Sequence, residues 1–403
     1  MEENQIHIPE GWTLHKLGAI CKIKKGVQFN KVELSDSGMY PCINGGIDPS
    51  GYSDLWNTDK KTITISEGGN SCGFVNFLNT KFWSGGHCYS LLELSSKIEN
   101  DFLHQALKGR QNLIMDLRVG SGLPNIQQKA IKEFEFLSPD NKPEQTQIAT
   151  ILSKVDEAIT KTEQLIAKYT RIKTGLMQDL LTKGIDENGN IRSEETHEFK
   201  DSALGRIPKE WECVNLGENI ELHNNKRKPI SSKIRAGMIG DYPYYGATGI
   251  IDMLNEYRVE GDFVLFGEDG DHFLKWVYQE QTILTNGRFS VSNHGHIVKG
   301  TSKCSTKWIH YFFCHKDITY YLTRQGAGRF KLNKASLLSL PILLPNSKNE
   351  QNAIIDRIEK VNDYSDNLKT KLFKLQSLKT GLMQDLLSGR VRVNHLIKET
   401  VSV

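Results

Sequence analysis

Basic side chains gather in the second half of the chain, in segments that lack an apolar periodicity. The formal net charge is only +3, but the second half holds a cluster of cations: Lys226, Arg227, Lys228, Arg288, Arg324, Arg329 and Lys331. Such clusters suit a nucleic-acid partner, because each cation can neutralise a backbone phosphate. A solvated basic face is the alternative interpretation, and charge alone does not decide between the two.

Motifs of catalytic chemistry are missing from the sequence. There is no P-loop, no HExxH, no GxSxG and no Asn/Asp-Pro-Pro-aromatic tetrapeptide of the kind that adenine methyltransferases carry. Neither of the two GxG pairs opens a dinucleotide-binding unit. We interpret both as backbone turns, with a role near DNA or near the base of a helix as one alternative and a simple turn as the other: Gly120/Gly122 and Gly326/Gly328. Glu67 and Glu268 have no partner pattern that makes them nuclease residues. We therefore expect no catalysis by this chain alone.

Seven cysteines occur without a CxxC pair. Cys42, Cys72, Cys88 and His87 fall in one region, but their spacing matches no zinc pattern, so reduced and partly buried thiols are expected. The chain has no apolar run long enough to span a membrane, and its N-terminus lacks the apolar core of a signal peptide. We expect a cytoplasmic protein.

An internal repeat organises the chain. The nonapeptide KTGLMQDLL occurs at residues 173–181 and again at 379–387. Other short matches precede the two copies in the same order: IPEGW and IPKEW at 8–12 and 207–211, Leu17-Gly18 and Leu216-Gly217, and Glu144-Gln145 and Glu350-Gln351. The segments between these matches differ. The order is therefore a variable module, a similar helix, a second variable module and a second similar helix.

The two similar segments have a helical, heptad-like periodicity. Apolar residues recur every three or four positions in 144–181 and in 350–387. Gly175 and Gly381 occupy the same place in the two copies, which suggests close helix packing or a slight bend there. About 38 residues give a rod of about 57 Å. Each rod needs a partner, and the other copy is the natural one, in an antiparallel coiled coil.

The remaining segments predict an α+β class with two similar modules. Short β-like runs end in turns rich in Gly, Asn and Asp, which is typical of a twisted and mainly antiparallel sheet. Residues 186–200 are polar and are interpreted as an exposed connector. The predicted organisation is a first module at 1–143, a helix at 144–184, a connector at 185–200, a second module at 201–348, a helix at 349–390 and a tail at 391–403.

These motifs, in this order, resemble the DNA-specificity subunit of Type I restriction–modification systems, the HsdS family. The resemblance covers essentially the whole chain, and it rests on the two IPxxW openings, the module ends and the two helices that finish in KTGLMQDLL. It implies that each module is a target-recognition domain for one half of a split site on double-stranded DNA. It also implies that the antiparallel coiled coil sets the gap between the halves.

The partners follow from the same resemblance. Two methyltransferase (modification) subunits would bind the helical region, and restriction subunits would complete the cleaving enzyme. The methyl donor S-adenosylmethionine would belong to the methyltransferase, so no cofactor and no metal is expected in this chain. Three apolar residues outside the heptad seam suit such docking, although ordinary core contacts explain them as well: Leu165, Met177 and Leu181.

Candidate DNA contacts are polar or basic residues in loops that follow short strands. Arg and Lys suit guanine, Asn and Gln suit adenine, and Lys, Arg, Ser and loop amides suit phosphates. In the first module the candidates are Lys24, Lys25, Gln28, Asn30, Lys31, Asn44, Asn70, Ser84 and His87. Lys24 and Lys25 fit phosphate contacts best. Backbone roles in turns are the alternative for Asn44 and Asn70, and a structural hydrogen bond is the alternative for His87.

In the second module the strongest candidates are the five adjoining residues 224–228. The alternative interpretation is that these residues form a solvated loop without a DNA contact. The candidates are Asn224, Asn225, Lys226, Arg227, Lys228, Tyr244, Tyr245, Asp271, His272, Asn286, Arg288, Arg329 and Lys331. Core packing explains Tyr244 and Tyr245 equally well. Arg288 is the best single candidate for a base contact. Two other functions remain open at this point: a coiled-coil adaptor that binds proteins, and an enzyme with an unrecognised site.

Overall fold

The computed structural model describes residues 7–397, except for residues 31, 33, 121 and 326–328. The chain divides into two compact units, and each contains one module together with parts of both long helices. The first unit comprises residues 1–165 and 369–403, and the second comprises residues 166–368.

Within its described residues, the first module contains two sheets, a separate pair formed by its first and last strands, and four short helices. Its strands are β1 (Trp12–Lys16), β2 (Lys22–Lys25), β3 (Tyr40–Ile43), β4 (Tyr52–Ser53), β5 (Thr62–Ser66), β6 (Val75–Leu78), β7 (Trp83–Ser84), β8 (Cys88–Leu92) and β9 (Glu135–Pro139). Its helices are α1 (Leu17–Ile20), α2 (Asn100–Gly109), α3 (Gln111–Met115) and α4 (Gln128–Glu133). One sheet has the antiparallel order β2-β8-β5-β6, and the other has the order β4-β3-β7, in which β3 and β7 are parallel. Strand β1 pairs with β9.

The long helices bound the second module at both ends. They are α5 (Lys142–Thr182) and α9 (Lys348–Leu386). Between them lie β10 (Phe199–Ser202), β11 (Gly205–Pro208), β12 (Glu212–Asn215), β13 (Ile220–Leu222), β14 (Ile239–Tyr245), β15 (Ile250–Leu254), β16 (Val259–Glu260), β17 (Phe263–Gly267), β18 (Thr282–Thr285), β19 (Arg288–Val291), β20 (Gly295–Gly300), β21 (Thr323–Gln325), β22 (Arg329–Lys331) and β23 (Pro341–Leu344). The short helices are α6 (Ser232–Arg235), α7 (Thr306–Phe313) and α8 (Lys334–Leu338).

The second module repeats the topology of the first. Its main sheet has the order β13-β20-β17-β18, which matches β2-β8-β5-β6 strand for strand. Its other sheet contains the antiparallel pair β14–β15 and the parallel pair β14–β19, which match β3–β4 and β3–β7. The pair β12–β23 matches β1–β9. The repeat seen in the sequence is therefore a repeat of the fold, including the variable segments.

The long helices pair in the antiparallel sense within each unit. In the first unit, Asp156 on α5 forms a salt bridge of 2.5 Å with Lys379, near the end of α9. In the second unit, the ring of Tyr169, late in α5, lies 4.4 Å from that of Tyr364 on α9. The earlier α5 residue thus pairs with the later α9 residue and the later α5 residue with the earlier α9 residue, as expected for an antiparallel coiled coil.

Helix residues also complete the core of each module. Ile148, Leu152 and Leu386 join the first core. Met177 and Leu181 are buried in the second core, so the expectation that they form a docking surface is wrong. Gly175 and Gly381 have open space where a Cβ atom would lie, and they therefore do not mark a close helix contact.

The repeated Glu-Gln pairs tie the helix starts to their modules. Glu144, which is fully buried, accepts two hydrogen bonds from Arg392, at 2.7 and 2.8 Å. Glu350 binds Arg192 and accepts from the Trp211 indole at 3.3 Å. Arg192 is itself buried, so residues 186–200 are not simply an exposed connector. Charge-assisted hydrogen bonds of this kind are shorter and stronger than hydrogen bonds between neutral groups.

A glycine follows each long helix where the chain turns back. Gly184 and Gly389 have φ values of +64° and +73°, in the left-handed region that glycine adopts without strain. A Cβ atom would lie 2.4 Å from the Trp211 ring at Gly184, and 2.9 Å from the Trp12 ring at Gly389. The two glycines therefore cap the long helices and pack against the tryptophans of the IPxxW openings.

Candidate DNA interface

Two glutamates, Glu67 and Glu268, occupy the same backbone position in the two modules. Each follows the last residue of a central strand, β5 or β17. The Glu67 N–H donates to the carbonyl of His87 at 2.9 Å, and the Glu268 N–H donates to the carbonyl of His294 at 2.8 Å. Their own carbonyls accept hydrogen bonds from residues 126 and 332, at 2.8 and 2.9 Å. In each module the backbone of this glutamate is therefore hydrogen-bonded to two other segments at corresponding places in the fold.

In the first module the Glu67 carboxylate lies under the loop that carries predicted DNA contacts. Its side chain is 6% exposed and forms a salt bridge of 2.6 Å with Lys25, while His87 Nδ1 lies 3.8 Å away. The Tyr89 hydroxyl donates to it at 2.8 Å. Burial and this carboxylate raise the pKa of Tyr89, so its hydroxyl keeps the proton that it donates.

In the second module Glu268 holds two predicted DNA contacts. Its side chain is 15% exposed and binds Arg227 at 2.6 Å and Lys331 at 3.4 Å. Lys331 also lies 3.8 Å from Asp269, whose carboxylate is 2.8 Å from His294 Nδ1. Basic residues that are far apart in the sequence are thereby gathered around one carboxylate.

A cleft of about 780 Å³ opens beside this cluster. Glu268, Asp269, Arg329 and Lys331 lie along one side, and the backbone of residues 246–249 lies along another. Arg329 is exposed, whereas the side chain of Lys331 is only 26% exposed. The cleft therefore offers polar and charged groups of both signs to a ligand.

Several predicted residues of the first module meet beside Glu67. The N–H of His87 donates to Asn44 Oδ1 at 3.2 Å, and Gln28 Oε1 lies close to Gly86. Lys24, Gln28, Asn30 and Asn70 are exposed, and Asn44 is half-buried. Lys31 lies outside the described residues. The structure thus brings Lys25, Gln28, Asn44 and His87 together at one end of the main sheet.

In the second module the loop after β13 is held in place by hydrogen bonds to strand β20. Asn224 donates to His296 Nδ1 at 2.8 Å and accepts from the N–H of Ile297 at 3.0 Å, so its amide holds the loop in place. Lys228 pairs with Glu256 at 2.9 Å. Asn225 and Asp271 are exposed, Lys226 is half-buried, and Tyr245 packs on Phe289.

Three of the predicted contacts lie in the interior and lack the surface to touch DNA. Ser84 is 2% exposed, and its hydroxyl accepts from that of Ser90. Tyr244 is 1% exposed, and its hydroxyl donates to the Lys228 carbonyl at 2.9 Å. His272 is buried, and burial lowers its pKa to about 4. All three are polar residues close to loops, which made them candidates, but the sequence does not show that their side chains face the interior.

Arg288 lies away from the glutamate cluster. Its guanidinium pairs with Glu260 at 3.2 Å and covers the ring of Tyr257 at 4.8 Å. The neighbouring Asn286 binds Asp262, just before β17, whereas Glu268 follows the end of that strand. The contacts that the sequence predicts in the second module therefore fall into two separate groups in the structure.

Sequence reasoning missed His294 and the part that Glu67 and Glu268 play. His294 precedes β20 just as His87 precedes β8, and alignment of the two halves by strand would have paired them. Within the described residues, no three His, Cys, Asp or Glu side chains are arranged to hold a metal ion. No helix in the described part of the chain is long and apolar enough to cross a membrane.

Comparison with known proteins decides the family. The model of the Type I restriction modification DNA specificity domain matches the chain twice, at residues 9–170 and 208–377. The chain belongs to this family. It is a Type I specificity subunit with two target-recognition domains, and the two matches coincide with the two modules and their helices.

Named relatives agree with this assignment. The specificity subunit is 27% identical to a putative type I specificity subunit, S.MpnORF638P, of Mycoplasma pneumoniae, over 84% of each chain. It is 24% identical to the MjaVIII specificity subunit of Methanocaldococcus jannaschii, over 98% of this chain and 96% of that one. Both relatives are named as specificity subunits of Type I systems.

Solved structures share the fold. The crystal structure of the Type I S subunit from M. genitalium matches with a TM-score of 0.68 at 23% identity, and the match covers 96% of the specificity subunit and 98% of that chain. A structure described as addressing complex assembly and conformational transition of the type I R-M system matches with a TM-score of 0.53 at 13% identity, over 96% and 100%.

Proposed function

We propose that each target-recognition domain reads one half of a bipartite site on double-stranded DNA. The observation that carries the proposal is the duplicated cluster around Glu67 and Glu268, in a chain that belongs to the specificity family. Each cluster gathers cations, amides and an imidazole from several loops at one end of a rigid sheet. Phosphate contacts from Lys and Arg position a protein on DNA, and Asn, Gln and Arg read base edges.

The long helices act as a ruler in this proposal. A helical turn of DNA measures about 34–36 Å, and a helix of about 40 residues is about 60 Å long. Salt bridges and ring contacts, such as Asp156–Lys379 and Tyr169–Tyr364, hold the two helices in register within each unit. The helices therefore define the number of unspecified base pairs between the two halves of the site.

Exposed apolar side chains on the helices support docking of two methyltransferase subunits. In the first unit Leu165, Phe373 and Leu378 are 37%, 70% and 51% exposed. In the second unit Ile172 and Tyr364 are 41% and 43% exposed. Burial of such residues by a partner helix is favourable because it removes apolar surface from water. The methyltransferases would carry S-adenosylmethionine, and restriction subunits would join the same complex.

Selection of duplexes from a randomised pool tests the proposal. The chain is co-expressed with its methyltransferase and the bound duplexes are sequenced. We expect a motif of two specified blocks with an unspecified gap of fixed length. A pool without sequence enrichment, from a complex that has assembled, would contradict DNA reading and would favour an adaptor that binds proteins.

A further inference from the structure

A nearly buried carboxylate lies under the predicted DNA-binding loops of both modules. Surfaces that bind DNA are positive, and a negative charge placed among their cations reduces attraction for phosphates. Glu67 and Glu268 nevertheless occupy equivalent positions, and their side chains are only 6% and 15% exposed. The arrangement occurs twice although the two loops differ in sequence, so it needs an explanation beyond local packing.

The two carboxylates bind the very cations that are expected to contact phosphates. Glu67 holds Lys25 at 2.6 Å, and Glu268 holds Arg227 at 2.6 Å and Lys331 at 3.4 Å. The side chains of Arg227 and Lys331 are only 22% and 26% exposed, so they are drawn towards the carboxylate rather than towards solvent. Charge-assisted hydrogen bonds of this length are strong when partly buried.

One lysine beside a paired cation in each module has no such restraint. No Asp or Glu in the described part of the chain forms a salt bridge with Lys24, beside Lys25 in β2, or with Lys226, beside Arg227 in the loop after β13. Lys228 of that loop pairs with Glu256 instead. Each module therefore carries a lysine without a carboxylate partner directly beside a cation that the buried glutamate neutralises. This contrast separates two roles within a single stretch of basic sequence.

We infer that Glu67 and Glu268 are positioning residues that set sequence discrimination, because they withhold Lys25, Arg227 and Lys331 from phosphates. A phosphate contact stabilises binding to any sequence alike, so cations held by a carboxylate leave affinity to the base-reading groups. The inference rests on the proposed function. It assigns Glu67 to discrimination in the first half-site and Glu268 to discrimination in the second.

The experiment measures the affinity of the assembled chain–methyltransferase complex across a salt series. One duplex carries the selected site, and two others have the first or the second half scrambled. In Glu67→Gln we expect tighter binding to the duplex with a scrambled first half and a log–log salt slope steeper by about 0.9. In Glu268→Gln the effect appears in the second half, and the slope steepens by about 0.9 because Arg227 is freed, whereas Lys331 still has Asp269 at 3.8 Å.

The variant Arg227→Gln provides an independent test of the inference, because Glu268 remains paired with Lys331. If Arg227 is already neutralised, its removal leaves the salt slope unchanged. If instead it binds a phosphate directly, the slope becomes shallower by about 0.9, and the inference is overturned. Lys226→Ala is the matched positive control from the same loop, and it should make the slope shallower.

Glu144→Gln and Glu350→Gln are matched controls, since they also remove a duplicated buried carboxylate that holds an arginine. We expect both to lower the melting temperature without steepening the slope. Unchanged or shallower slopes in Glu67→Gln and Glu268→Gln, from complexes that are folded and discriminate the site, overturn the inference alone. A wild-type complex that does not discriminate the site overturns the proposed function instead.

Discussion

Arg392 forms a bidentate ion pair with Glu144, from which it is separated by 248 positions in the chain. The residues after α9 thereby return to the first module, where the Arg392 guanidinium also donates to the Glu10 carbonyl at 2.8 Å. The pair makes the last described segment part of the first unit, so we expect it to matter for stability and not only for connection.

Arg392→Ala should destabilise the first unit by on the order of 3 kcal/mol, because it leaves the buried Glu144 carboxylate without its partner. Chemical denaturation of the purified chain measures this loss. Arg390→Ala is the control: Arg390 is 72% exposed and pairs with Asp385 at the surface, so its loss should cost less than about 1 kcal/mol. Equal effects of the two substitutions would contradict the assigned role.

Stability should fall as the pH drops below 6.5, in part because of His272. Its pKa is about 4 in the folded chain, lowered from 6.5 by burial. Between these values the unfolded chain takes up a proton that the folded chain does not, so the penalty grows from pH 6.5 down to about pH 4 and is then constant. His272→Phe should make the decline from pH 7 to pH 5 shallower by about 2 kcal/mol. A variant with the same decline as wild type would rule out this contribution.

Arg288→Ala should relax recognition at one position of the second half-site by about 1–3 kcal/mol. Competition binding with single-base variants of the site measures the change. The control is Arg206→Ala, since Arg206 is an exposed residue paired with Glu194 and Asp201 outside the predicted contacts. Full discrimination at every position of that half-site in Arg288→Ala would show that the assignment to Arg288 is wrong.

Phe373→Ser should weaken binding of a methyltransferase subunit, because this apolar side chain is 70% exposed on α9 and its burial by a partner would be favourable. Co-purification and titration of the partner measure the effect, and a loss of more than tenfold in affinity is expected. Tyr320→Ser, at a residue that is 92% exposed on the second module, should leave that affinity unchanged. Equal affinities for both variants and wild type would remove support for docking on the helices.

Insertion of one heptad in both long helices should lengthen the gap between the half-sites. Seven residues placed after Leu165 in α5 and after Leu368 in α9 keep the seam in register. They extend the helix pair by about 10 Å, or up to about three base pairs of DNA. An insertion beside Leu181 would instead disturb the second core, in which Leu181 is buried. An unchanged gap, with both half-sites still recognised, would refute the ruler.

The sequence predicted the structure best where the pattern within a single element is enough to define that element. The heptad pattern of α5 and α9 follows from local periodicity, and the matched Glu-Gln pairs lead to the same helix starts. The ion pairs of Glu144 and Glu350 could not be predicted from the sequence. Their partners, Arg392 and Arg192, lie in segments that were interpreted as a tail and a connector.

The candidate site could be predicted from the sequence only in part, for a related reason. Loop position identified Lys25, Arg227 and Lys331 as candidates, and the structure brings each of them to a carboxylate. Their pairing depends on the register of β2, β8 and β5, and of the corresponding strands in the second module. Tyr244 and His272 illustrate the opposite error, because a polar residue beside a turn can face the core.

The most direct test of the central claim is a map of adenine methylation by long-read sequencing. Cells that carry the methyltransferase partner are compared with and without this gene. We predict a split motif, with two specified blocks and a fixed gap, that appears only with the gene, and whose first or second block changes when the first or second module is exchanged. The absence of any gene-dependent motif, with the partner expressed and assembled, would contradict a specificity function for this chain.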